Sequence, residues 1–147
     1  MRVRHFGFTG TGQGMTKPQR EALLYNMGVH ALGYTLPIVG HHGDDDGADA
    51  EFHNFCRDLG WRVVLHPPSN PRRRAFCQAD ESRPAKAYLL RNDDIVTESQ
   101  TMFAAPLGME EEELRSGTWA TIRRARKAGR PLMIVWRDGS VTKERWT

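Results

Sequence analysis

A glycine-threonine turn occurs twice in this chain, each time where a β-compatible run feeds a helical pattern, and this limits the possible fold more than any other feature. The first copy runs from Gly7 through Gly10, Thr11, Gly12 and Gly14 to Thr16; the second is Ser116-Gly117-Thr118. A helix entrance leaves backbone N–H groups unpaired and carries partial positive charge, so a glycine and a hydroxyl placed there read as a cradle for an anion.

The rest of the pattern follows the same grammar. A strand is expected over 3–9, then a helix that starts at Pro18, carries Leu23, Leu24, Met27 and Ala31 at the helical period and stops at Gly33. A second strand over 35–39 leads through a polar loop over 40–47 into a helix whose apolar stripe is Ala48, Phe52, Phe55, Cys56 and Leu59. A third strand over 62–65 ends at His66-Pro67-Pro68, because consecutive prolines remove ladder donors. Residues 69–83 read as a loop with an optional helical turn, and 84–91 as a short helix before a polar stretch. A strand over 101–105, an acidic loop over 108–116, a helix over 118–128 and a strand over 131–135 follow, with an edge strand or hairpin around Asp138-Gly139. Strands alternating with helices at this spacing predict a three-layer α/β domain over 1–147, a parallel sheet of about five strands with helices on both faces. In such sheets ligands sit beyond the carboxyl ends of the strands, where the winding reverses.

Composition narrows the function. The 147 residues fit one domain, and a net charge of +3 with local runs of both signs gives no basic face of the kind nucleic acid requires. Cys56 and Cys77 lack metal-ligand spacing and read as free thiols. No stretch approaches membrane-spanning length and none resembles a secretory leader, so a cytoplasmic protein without a membrane partner is expected.

The motifs are individually weak. The first loop misses the dinucleotide fingerprint because Met15 stands where a glycine belongs, and it misses the phosphate-loop pattern because Gln13 and Gly14 replace Lys and Ser or Thr. The segment from His41 to Asp49 admits a metal site, a ribose-hydroxyl acceptor or an acid and base pair; against these stands helix capping by one aspartate, with Asp44 and Asp46 otherwise solvated. Ser116 is as good an N-cap as a ligand contact. Arg72, Arg73, Arg74 and Arg91 could clamp phosphates if their segments border the cleft. His66 stands at a strand end, and Glu110 to Glu113 form an acidic turn; either can be assigned acid–base chemistry only by its surroundings.

Taken in order, GFTGTGQGMT, HHGDDDGADAEF, VVLHPP, RND and SGTWATIRRARKAGRPLMIV resemble the SLOG superfamily. This Rossmann-like group includes the cytokinin-activating phosphoribohydrolases, formerly labelled lysine decarboxylases, and DNA-processing protein A. The resemblance spans nearly the whole chain. It implies a nucleotide pocket over the strand ends, frequent homo-oligomers, and a lining by Gly10, Thr11, Gly47, Asp49, Ser116, Gly117 and Thr118. The phosphoribohydrolase branch has the pattern P-G-G-x-G-T-x-x-E, and here Thr121 stands where its glutamate belongs. A hydroxyl does not replace a carboxylate that stabilises positive charge developing on ribose.

The reading is a non-catalytic binder of a nucleotide or nucleotide derivative, held by Gly10, Thr11, Gly12, Gly47, Asp49, Ser116, Gly117 and Thr118, with Asp44, Asp46, His66 and Arg91 as further candidates. No resident cofactor or metal is expected. The alternatives are a nucleoside-monophosphate N-glycosidase or related hydrolase, and a single-stranded DNA binder, which is not favoured.

Overall fold

The computed structural model describes residues 3–146. Met1, Arg2 and Thr147, which the single-domain reading includes, lie outside them. The elements are β1 (Arg4–Gly10), α1 (Lys17–Leu32), β2 (Ile38–His42), α2 (Ala48–Asp58), β3 (Arg62–Leu65), a 3-10 turn (Pro71–Arg73), β4 (Glu81–Ser82), α3 (Tyr88–Glu98), β5 (Thr101–Ala105), α4 (Gly117–Lys127), β6 (Leu132–Val135) and β7 (Val141–Glu144). They form a seven-stranded sheet in the order β4-β3-β2-β1-β5-β6-β7, parallel except for β7, which pairs antiparallel with β6. The two strands beyond the expected five are the short β4 and the edge strand β7, which has no helix before it.

Alternation along the strands builds two cores. Phe6, Phe8, Phe103, Ala105, Met133 and Val135 face α1 and α2, where Leu23, Met27, Phe52 and Cys56 meet them. Met102, Ala104, Leu132 and Ile134 face α3 and α4 and pack on Ile95, Val96, Trp119 and Ile122. Phe8 and Phe52 stack with ring centroids 4.6 Å apart. Helix α1 starts as its sequence requires: Thr16 caps it, accepting from Gln19 N at 3.2 Å, while Gln19 Oε1 accepts from Thr16 N, with Pro18 in the first turn.

Two expected elements move. The second strand runs over Ile38–His42, so His41 and His42 lie in the sheet and are fully buried. Imidazoles can do this because they hydrogen-bond one another there: His41 Nδ1 to His66 Nε2 at 2.9 Å, and His42 Nε2 to His53 Nδ1 at 3.0 Å. The helix expected over 84–91 is instead Tyr88–Glu98. Its second half is polar only on the outside, where Asp93 takes Arg124, Asp94 takes Lys86 and Glu98 takes Arg83, while Ile95 and Val96 enter the core.

The chain winds outward from β1 through β2, β3 and β4, and then in the other direction through β5, β6 and β7. The reversal therefore lies between β1 and β5, whose carboxyl ends are Gly10 and Ala105.

Candidate functional site

Both glycine-threonine turns reach this point of reversal. A cavity of about 200 Å³ is lined by Gly10, Thr11, Gly12 and Gln13 on one side and by Arg115, Ser116, Gly117 and Thr118 on the other, with Arg73, Tyr88, Leu107 and Glu112 completing it. Chain segments more than a hundred residues apart thus share one wall, because adjacent parallel strands deliver their following loops to the same end.

The two turns differ in what they still have to offer. In the first, Thr11 N donates to Ala105 O at 3.0 Å, Gln13 N to Thr11 Oγ1 at 3.2 Å, Gly14 N to Thr11 O at 3.2 Å and Met15 N to Glu51 Oε1 at 2.6 Å. Most of its amides are therefore spent on holding the loop, leaving Gly12 N. In the second, Ser116 Oγ caps α4 by accepting from Trp119 N at 3.1 Å, and the Gly117 and Thr118 amides have no acceptor among the described residues. Those amides stand at the positive end of α4, where an anion would complete their bonding.

Charge follows the same division. Among the described residues, Arg57, Arg74, Arg83, Arg91, Arg124 and Arg126 all hold carboxylates. The guanidinium groups of Arg73 and Arg115 in this cavity, and of Arg72 beside it, take no ion pair or hydrogen bond; Arg62 and Arg145 are the only other described arginines of which that is true.

The aspartate loop is mostly structural. Asp44, wholly buried at φ 59°, binds Arg74 Nε at 2.7 Å through Oδ2 and accepts from Cys77 N at 2.9 Å through Oδ1. Asp45 Oδ2 meets Arg91 Nη2 at 2.6 Å. Asp46 is exposed and lines a neighbouring cavity. No aspartate caps α2, which removes the capping alternative: its N-cap is Gly47, which has no side chain to offer. Gly47 has φ +87°, and a Cβ there would run into the Gly12 backbone, so its part is to bring the two loops together. Asp49 lies in the first turn of α2, buried behind the cavity wall, and accepts from Asp45 N at 3.2 Å. Burial, reinforced by the Asp45 charge, pushes its carboxyl up to about 7.

Arg91 is only 2% exposed and serves the cleft from behind. Besides Asp45 it donates to Gly43 O and, at 3.1 Å, to His66 O, and its guanidinium lies 4.5 Å from the centre of the Tyr88 ring. It ties the ends of β2 and β3 to α3. His66 is buried and presents its carbonyl to Arg91, with its ring turned away into the histidine file. Sequence reading did not single out Tyr88, Arg115, Gln13 or Leu107. The signal available for Arg115 was its place directly before the second turn; Tyr88 carried none, because its helix was set too early.

Two groups bring metal-ligating atoms within 4.8 Å: His42 with His53 and Cys77, and His41 with His66 and Glu98. In the first, His42 Nδ1 accepts the Asp44 N–H at 2.9 Å, so its own proton sits on Nε2, facing His53. A metal at Nε2 would have to displace that proton while Nδ1 stays blocked by the amide. The Cys77 thiol is pushed up to about 12 by burial and by Asp44. In the second, Arg83 occupies both Glu98 oxygens, at 2.6 and 3.3 Å, and its charge opposes a cation. One polarity fits the file: His5 donates from Nδ1 to His41 Nε2 at 2.8 Å and His41 from Nδ1 to His66 Nε2, while His66 Nδ1 faces Glu98 at 3.9 Å and has no hydrogen-bond partner among the described residues.

No protein-family model matches the chain, and no curated protein matches it. Among solved structures it is similar to the molybdenum cofactor binding protein from the phototrophic bacterium Rippkaea orientalis, with a TM-score of 0.69 and 19% identity over 92% of this chain and 78% of that one. It is also similar to TM1055, a structural genomics target, with a TM-score of 0.64 and 16% identity over 88% of this chain and 72% of the other. At these identities the likeness establishes a Rossmann-like α/β fold. Among the described residues no helix is long and apolar enough to cross a membrane.

Proposed function

We propose that this protein binds a nucleotide or nucleotide derivative, phosphate end first, in the cleft between the β1 and β5 ends, and performs no chemistry on it. The observation that carries this reading is the meeting, in one cavity, of the unpaired amides at the start of α4 with the uncommitted guanidinium groups of Arg73 and Arg115. Positive groups without protein partners, gathered where a Rossmann-like sheet reverses, favour a mobile anionic partner. The SLOG resemblance supports the same assignment, with a cytoplasmic, homo-oligomeric protein as its natural setting. The N-glycosidase alternative lacks its carboxylate: Thr121 is 1% exposed and donates its hydroxyl proton to Gly117 O at 2.9 Å.

A thermal-shift panel of nucleoside mono-, di- and triphosphates, dinucleotides and cyclic nucleotides tests this, since a ligand selective for the native state raises its stability by mass action. The molybdenum cofactor, named for the first structural neighbour, belongs on the panel. We expect stabilisation by at least one member and its loss in Gly117→Leu, whose side chain would press on Tyr88, 2.6 Å from the position of a Cβ. Absence of any shift at about 1 mM ligand would overturn the assignment, and release of free base would replace it with hydrolysis.

A further inference from the structure

The cradle cavity does not stand alone. A second cavity of about 250 Å³ is lined by Gly12, Asp45, Asp46, Arg73 and Tyr88. A third, of about 220 Å³, is lined by Asp45, Pro68, Asn70, Arg72, Arg73 and Tyr88. Arg73 and Tyr88 border all of them. The cradle shares Gly12 with the second, and the second shares Asp45 with the third, whereas the cradle and the third share only the two dividing residues. The compartments therefore lie in sequence. Each is smaller than the roughly 300–1,000 Å³ that a cofactor-sized ligand fills, so a ligand of that size has to run through more than one.

Resting on the phosphate-ligand reading above, we propose that the ligand is a ribonucleoside phosphate lying extended through this series, with phosphate in the cradle, ribose in the middle compartment and base in the third, against Tyr88. The chemistry of each compartment matches one part. The cradle holds the free amides and Arg115. In the middle, the exposed carboxylate of Asp46 has no partner among the described residues, and it accepts from the hydroxyls of a ribose but repels a phosphate. In the third, Pro68 supplies an apolar wall, and Asn70, whose Oδ1 already accepts from Arg72 N at 3.1 Å, keeps its amide donors for a base edge. Tyr88 is a held platform. Arg91 lies 4.5 Å from its ring centre and Gly117 leaves no room for a Cβ beside it, yet the residue stays 47% exposed. An aromatic surface fixed at one side and open on the other takes a stacked heterocycle at little cost in side-chain entropy.

Calorimetric titration of the full chain with pyrophosphate, with AMP, GMP, CMP and UMP, and with their 2′-deoxy counterparts separates the two readings. We expect the preferred ribonucleotide to bind about tenfold or more tighter than pyrophosphate, from base stacking. Tyr88→Leu should abolish that advantage, with a smaller loss of pyrophosphate affinity because Tyr88 also borders the cradle, and Tyr88→Phe, which keeps the ring, should retain both. The ribonucleotide should exceed its deoxy form about fivefold, and Asp46→Asn should reduce that margin. If pyrophosphate binds but no ribonucleotide binds tighter, or if Tyr88→Phe loses the advantage as fully as Tyr88→Leu, the extended pose is overturned while the anion site stands. If neither pyrophosphate nor any nucleotide binds, the site reading itself fails.

Discussion

Two polar regions of this molecule began as equals in the sequence and end as opposites. The histidine-rich region around β2, with His41, His42, His53 and His66, satisfies most of its own polar groups: the imidazoles pair, and Asp44 and Glu98 each hold an arginine, while the buried His66 Nδ1 goes without a partner among the described residues. The cleft at the β1 and β5 ends leaves amides and guanidinium groups without partners. Both are rich in the residues that chemistry uses. The comparison teaches that what marks a binding site is polar capacity left unspent at an accessible place, since most buried polar groups are satisfied within the fold.

The sharpest way to break that contrast is to attack the boundary between the regions. Arg91→Met should cost about 3–5 kcal/mol in denaturant unfolding, because it leaves Asp45 half-buried beside Asp49 without its cation. Arg73→Ala and Arg115→Ala should each change stability by less than about 0.5 kcal/mol while weakening nucleotide binding. Equal stability losses for the buried and the cleft arginines would erase the distinction. Gly47→Ala should follow at about 2 kcal/mol, through a strained positive φ and contact with the Gly12 backbone.

Acid tests the self-satisfied region next. Burial holds His41 down to about 3 and His66 down to about 4, whereas in the unfolded chain both sit near 6.5. Between those limits the unfolded state binds more protons. The stability they contribute is therefore complete above pH 6.5 and is lost as pH falls toward 4, at up to roughly 1.4 kcal/mol per unit for each group. Asp49 acts in the other direction: its carboxyl, raised to about 7 from an ordinary 3.8, favours the fold at low pH and loses that contribution as pH rises through 7. Asp49→Asn should thus raise the unfolding midpoint at pH 8 relative to pH 5. A flat profile in both proteins would show that neither group is buried as described. The smallest effect concerns metal: added zinc should move the melting temperature by less than about 1 °C, because the His42 proton is locked on Nε2.

The local devices were legible because they depend on neighbours in the chain. Thr16, Pro18 and Gln19 announce the start of α1, and Ser116 that of α4, through caps that operate within one turn of helix. The α3 boundary was not legible, because Asn92, Asp93 and Asp94 look like a loop until Lys86 and Arg124 arrive from elsewhere to pair with the aspartates. The polar loop expected over 40–47 takes in His41 and His42 for the same reason, since their partners His66 and His53 lie outside it.

By itself, then, the sequence determined the α/β alternation, the places where α1, α2 and α4 begin and the meeting of both glycine-threonine turns at one rim, because periodicity and capping act over a few residues. Only the tertiary structure decided which polar groups were already spoken for. Hydrogen bonds and ion pairs across the fold consumed most amides of the first turn, buried Asp44 and Asp49 behind the wall, and left the α4 entrance, Arg73 and Arg115 free around Tyr88. That division depends on contacts between distant segments, which no local pattern encodes.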